Sequence, residues 1–167
     1  MTIYYWDIET TSLDALTPLS RVTMIGIMDE EATCRFFYGE SEKALLEEFW
    51  QYVKERTATY VGFNVLNFDW IFLYKRSIVL GVKPYLHFKR WILDLRNVLD
   101  SDKFAKGTLQ NICLLISGEH KHDSLEGQDV IKLFYDGDYE TLKIYLTQDL
   151  LLTKILYTRL LDCEVLQ

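Results

Sequence analysis

Cysteine is scarce in this chain of 167 residues: Cys34, Cys113 and Cys163 stand far apart. The odd count and the lack of any C-x-x-C pair exclude a disulfide framework and a structural zinc site. Reduced thiols in a cytoplasmic protein are the expectation. Proline is rarer still, with two residues, and no linker-like or low-complexity stretch interrupts the chain. One domain over residues 1–167 is therefore expected. No apolar run reaches the roughly 20 residues that a bilayer-crossing helix needs. The start, Thr2–Trp6, reads as a strand and not as a signal peptide, because a basic n-region and an apolar h-region are both lacking. Positive charge is also in deficit. A net charge of −7 excludes binding by blanket phosphate neutralisation. It is compatible with acids that hold cations: two divalent ions on such ligands would bring the chain to −3.

What is present is ordinary globular composition, 49% hydrophobic and 26% charged, with 14% aromatic residues. The rings can fill a core or stack on nucleobases, and composition does not separate the two. Thr2–Ile8, Val22–Met28 and Thr33–Tyr38 read as strands joined by short connections, an antiparallel meander. Ser41 is placed to cap a helix over Ser41–Arg56, where Leu45, Leu46, Phe49, Trp50 and Val53 recur at helical spacing. A short strand, Thr59–Phe63, precedes a helix from about Phe68 to Leu80, which Gly81 stops. Another strand is expected at Trp91–Leu95, and helices near Thr108–Ile116, Gly127–Tyr135 and Asp138–Leu161. The order is that of an α/β domain: three antiparallel strands, then parallel ones, in a mixed five-stranded sheet flanked by helices.

Three acidic elements stand out. Asp7 and Glu9 are two apart at a strand end, so their side chains share one face. Asp69 follows a strand and opens a helix, where a carboxylate is also favoured by the helix dipole. Tyr145 and Asp149 are four apart and share a helix face. Each has a plain structural reading by itself: a solvated strand end, a helix cap, a Tyr–Asp hydrogen bond. Together they offer four carboxylates that one site can gather, and hard divalent cations prefer oxygen ligands.

In this combination and order, Asp7-Ile8-Glu9-Thr10, Asn64–Asp69 and Tyr145–Asp149, the chain resembles the DEDD (DnaQ-like) exonucleases of the ribonuclease H-like superfamily. Tyr145, four residues before Asp149, marks the DEDDy branch; the DEDDh branch has His where this chain has Ile144. Gly62–Trp70 resembles the exonuclease domain of family B DNA polymerases. Gly127, Gly137-Asp138, Tyr145 and Asp149 resemble the layout of stand-alone PolB-like predicted exonucleases. The resemblance spans roughly Ile3–Leu161. It implies a 3′-5′ exonuclease that hydrolyses terminal phosphodiesters of single-stranded nucleic acid, with DNA favoured over RNA. Two cations, Mg²⁺ or Mn²⁺, would be held by Asp7, Glu9, Asp69 and Asp149, and Tyr145 would orient the attacking water. Thr10, Phe63, Asn64, Phe68 and Trp70 are the expected substrate contacts, although core packing is the expected role of at least two of the three rings.

Other residues carry weaker expectations. Asp94, at a strand end, reads as a helix cap before a fifth ligand. Lys75, Arg76, Lys89, Arg90, Lys103, Lys106 and Lys121 are candidate phosphate contacts, most of them on a solvated face. His120 and His122 lack a zinc partner set. Competing functions are an RNA 3′-5′ exonuclease of the ribonuclease D kind, an internal-cutting nuclease, and a non-catalytic nucleic-acid-binding module of the same fold. The sequence says nothing of oligomeric state.

Overall fold

Alternation in the first strand sets the architecture. In β1 (Ile3–Thr10), Trp6 and Ile8 point to one face of the sheet and Tyr5, Asp7 and Glu9 to the other. A computed structural model describes residues 2–99, 107–118 and 127–166. Five strands form one sheet in the order β3-β2-β1-β4-β5. β1 pairs antiparallel with β2 (Val22–Met28), which pairs antiparallel with β3 (Cys34–Tyr38). On its other edge β1 pairs parallel with β4 (Thr59–Gly62), and β4 pairs parallel with β5 (Ile92–Asp94). The expected mixed five-stranded sheet is thus present, with the expected switch from antiparallel to parallel pairing.

Helices cover both faces. α1 (Glu42–Lys54) and α2 (Asp69–Leu80) pack Phe49, Trp50, Phe72 and Leu73 onto Trp6, Ile8, Ile25 and Ile27. The Ser41 hydroxyl caps α1 by accepting from the Ala44 N–H at 3.2 Å. Gly81, with φ +67, ends α2 in the left-handed conformation that a glycine adopts without strain. The short helix α3 (Leu95–Leu99) follows β5 directly. The opposite face is covered by α4 (Leu109–Ser117), α5 (Gly127–Asp136) and the 24-residue α6 (Tyr139–Asp162), which Asp138 caps. Leu150, Leu152 and Leu156 of α6 join Tyr5, Met28 and Val61 in a second core. Two short elements went unforeseen in the sequence: a 3₁₀ turn at Leu86–Trp91 and α3 itself. No helix among the described residues is long and apolar enough to cross a membrane.

Candidate metal centre

The face of β1 that carries Asp7 and Glu9 is the face on which α6 lies. One carboxylate oxygen each from Asp7, Glu9 and Asp149 converges within 4.8 Å. Two elements far apart in sequence are needed for this, the end of the central strand and the middle of the 24-residue helix. The strand ladder is irregular at the site. Glu9 pairs with Met24, but Thr10 pairs with Val22, so Thr23 bulges at the point where β1 delivers its second acid.

Asp69 joins the group from the first turn of α2. It is 3% exposed and does not serve as a side-chain cap of its helix, whose N-cap position is Phe68. Its carboxylate instead accepts the Ile8 N–H at 3.1 Å and is hydrogen-bonded to Asp7. Electrostatics follow from this crowding. Burial pushes Asp7 well above the usual carboxylate range, and the neighbouring charges of Asp69, Asp149 and Glu9 push it further. Burial likewise raises Asp69, to about 6, against hydrogen bonds that favour its ionised form. A site made only of carboxylate oxygens, one of them strongly averse to ionising among like charges, fits a hard divalent cation, which would relieve that repulsion.

Tyr145 lies one helical turn before Asp149. It is buried in a cluster with Met24, Leu142 and Leu146. Beside Glu9 a cavity of about 410 Å³ opens, lined by Thr10, Leu13, Phe68 and Ile131 among others. The Thr10 hydroxyl is engaged with the Ser12 carbonyl at 2.8 Å. Leu13, at the rim, is 88% exposed. Sequence reasoning missed Leu13 and Ile131. For Leu13 no local signal existed: Leu16 and Leu19 follow it at three-residue spacing, and nothing in the pattern singles it out from them.

The rings expected at the substrate separate. Phe68 is half-buried and faces the cavity. Phe63 is half-buried against the second core, with the Arg96 guanidinium 5.9 Å over its ring. Trp70 takes the core role expected of at least two of the three rings: it is 7% exposed, lies edge-on to Trp50 at 6.0 Å and stacks on Tyr74 at 6.1 Å. Asn64 occupies a turn with φ +64, and its side-chain oxygen accepts from Asn67 Nδ2 at 3.4 Å. That turn is held by Asp94. Its two carboxylate oxygens accept the N–H groups of Asn64 (2.8 Å), Leu66 (2.9 Å) and Arg96 (3.0 Å). Asp94 therefore caps two segments at once and lies outside the converging group. Arg76 is corrected. It is buried and pairs with both oxygens of Glu42, at 2.9 and 2.7 Å, so it is unavailable to a phosphate. Lys89 and Arg90 are exposed on the 3₁₀ turn, and Lys75 is half-buried. Lys103, Lys106, His120, Lys121 and His122 lie outside the described residues.

Comparison with known proteins supports this fold. Residues 4–161 match a family described as the RNase H superfamily. An uncharacterized protein of Methanocaldococcus jannaschii is 32% identical over 174 residues, covering 96% of both chains. In structure the chain is similar to the family B DNA polymerase of the hyperthermophilic archaeon Pyrobaculum calidifontis. The TM-score is 0.80 at 23% identity over 99% of this chain, which spans only 25% of that polymerase.

Proposed function

The chain belongs to the RNase H superfamily, and from that premise we propose that it is a 3′-5′ exonuclease of the DEDDy type acting on single-stranded nucleic acid. The convergence of Asp7, Glu9 and Asp149 within 4.8 Å, with Asp69 hydrogen-bonded to Asp7, carries the reading. These four acids would hold two divalent cations, Mg²⁺ or Mn²⁺. Bound there, the ions supply an activated water and neutralise charge on the leaving 3′-oxygen. The chain's own groups do the positioning. Asp7 and Glu9 are fixed by the central strand and Asp149 by a packed helix. The Tyr145 hydroxyl orients the attacking water by hydrogen bond. At an ordinary pKa of about 10 a tyrosine is a poor base at neutral pH, so orientation is its role. Water adds to the terminal phosphorus and the 3′-oxygen of the preceding nucleotide leaves. The products are a nucleoside 5′-monophosphate and a chain shorter by one.

The cavity beside Glu9 has the volume of a small-molecule site and suits the terminal nucleotide. Phe68 offers a ring to the base and Leu13 an apolar rim. Asn64 would act through the turn that leads to Phe68, whose N–H its carbonyl accepts at 3.1 Å, and Thr10 lines the cavity wall. The whole chain would serve as one catalytic domain. Its three unpaired cysteines suit a reducing, cytoplasmic setting. DNA is the favoured substrate, because Gly62–Trp70 resembles the polymerase exonucleases.

The test is a panel of labelled single strands, DNA and RNA, with free or blocked 3′ ends and Mn²⁺. Release of 5′-mononucleotides from free ends, lost in Asp7→Ala, is expected, with DNA the faster substrate. Cleavage that ignores a blocked 3′ end would defeat the terminal mechanism. Faster cleavage of RNA would reassign the substrate.

A further inference from the structure

Gly26 stands in β2, an interior strand that is buried along its whole length. Its register partner on β1 is Asp7 and its partner on β3 is Phe36. Directly opposed residues of an antiparallel pair project to the same face. The hydrogen of Gly26 therefore faces α6, next to the carboxylate of Asp7. A Cβ built there would lie 2.9 Å from Leu146 Cδ2, 3.0 Å from Leu146 Cγ and 3.0 Å from Leu150 Cδ1. The first is closer than packed carbon atoms come, and the other two are tight enough that the neighbour must give by a few tenths of an ångström. Leu146 and Leu150 are both fully buried, so neither side chain has open solvent to turn into. They are also the residues next to Tyr145 and Asp149 in the chain.

We propose that Gly26 is a positioning residue: the missing side chain is the socket that seats α6 on the sheet and sets the distance from Asp149 to Asp7 and Glu9. The inference rests on reading these acids as a metal centre. Carboxylate–Mg²⁺ bonds are about 2.0–2.1 Å long with little tolerance. Pushing α6 outward by a few tenths of an ångström therefore moves one ligand off the others. Both leucines that meet Gly26 are enclosed, so relief by side-chain rotation would displace their own core neighbours. A glycine in a strand interior weakens the strand, and close approach of a neighbour is what a site gains in return.

Three proteins test this: wild type, Gly26→Ala, and Gly26→Ala with Leu146→Ala, which removes two of the three close contacts. Free Mn²⁺ is counted by electron paramagnetic resonance in titrations of folded protein, with thermal midpoints measured alongside. The expected result is Mn²⁺ affinity weakened about tenfold in Gly26→Ala, the size usual for residues that orient ligands. The double variant should return to within about threefold of wild type. Equal affinity in Gly26→Ala and wild type, whatever the thermal midpoint, overturns the socket and leaves the metal centre standing. Weak binding in the double variant also overturns it. Absence of Mn²⁺ binding by the wild type fails the metal reading, and this inference with it. Should Gly26→Ala alone not fold, the double variant decides by the same threefold criterion.

Discussion

Asp69 Oδ1 accepts the backbone N–H of Ile8 at 3.1 Å, across 61 residues of sequence. The bond fastens the first turn of α2 to β1 between its two acids, so one carboxylate both belongs to the charged group and holds the strand that carries the rest. Its two roles separate by substitution. Asp69→Asn keeps an oxygen for Ile8 and removes one charge from beside Asp7. It should fold with an unchanged or higher thermal midpoint and lose nuclease activity by about 100-fold. Asp69→Ala strands a buried N–H and should cost a further 1–3 kcal/mol, roughly, in urea denaturation. Equal stability of the two variants would count against the bond's importance.

Crowded acids make stability and metal binding respond to pH in opposite senses. Asp69 titrates at about 6 in the fold against 3.8 ordinarily, and Asp7 is raised as well. A raised carboxylate favours the fold while protonated. That contribution is complete below about pH 4 and is lost as pH rises through about 6. For Asp69 the loss amounts to about 2–3 kcal/mol. Metal binding needs the ionised acids and gains over the same window. In chelator-treated protein, Asp7→Asn should therefore exceed wild type in thermal midpoint by a margin that widens as pH rises from about 4 through about 6. The Mn²⁺-induced rise in wild-type midpoint should grow over that range too. A margin and a rise that do not change with pH would refute the linkage.

Much of this architecture is legible in the chain. Strand and helix positions follow from periodicity: Leu45, Leu46, Phe49, Trp50 and Val53 in α1 could only be a buried helical face. The expected strand start at Thr2 and the observed Ile3, or the expected helix end at Leu161 and the observed Asp162, differ by single residues. What the sequence hides are relations between elements. Trp70 and Phe68 are equivalent as letters, and only the closing of α1 over α2 buries one ring and leaves the other at a cavity. Arg76 looks like any surface cation until Glu42 approaches from another helix. The importance of Gly26 is a matter of what lies above it, which no local pattern records.

That Glu42–Arg76 pair sets another expectation. Glu42 also accepts the Val22 N–H at 2.8 Å, and Arg76 donates to the Ala15 carbonyl at 3.2 Å. The pair thus pins both ends of the Ala15–Val22 connection. Arg76→Met leaves a buried carboxylate without its partner and should lower unfolding free energy by about 3–5 kcal/mol. Glu42→Gln with Arg76→Met, which removes both charges, should recover at least half of the loss. Urea denaturation of the single and double variants checks it. A single variant within 1 kcal/mol, roughly, of wild type would show that the pair contributes little.

Asp94 offers the sharpest contrast with a metal ligand, because both of its oxygens are already spent on backbone. They satisfy Asn64, Leu66 and Arg96, and so hold the turn whose Asn64 stands at φ +64. Asparagine tolerates the left-handed region in turns, but the Asp94 bonds to Asn64 and Leu66 are what hold this turn in register with β5. Asp94→Ala should therefore release the turn, with a loss of about 2–4 kcal/mol from stranded N–H groups. The same turn leads into Asp69 through bonds from the Asn67 and Phe68 N–H groups to the Asn64 carbonyl. Substrate binding should suffer before metal binding does. At low temperature, where the variant is folded, KM for single-stranded DNA should rise several-fold while the Mn²⁺ midpoint stays at the wild-type value. A shift of the Mn²⁺ midpoint as large as that of Asp7→Ala would instead make Asp94 a fifth ligand.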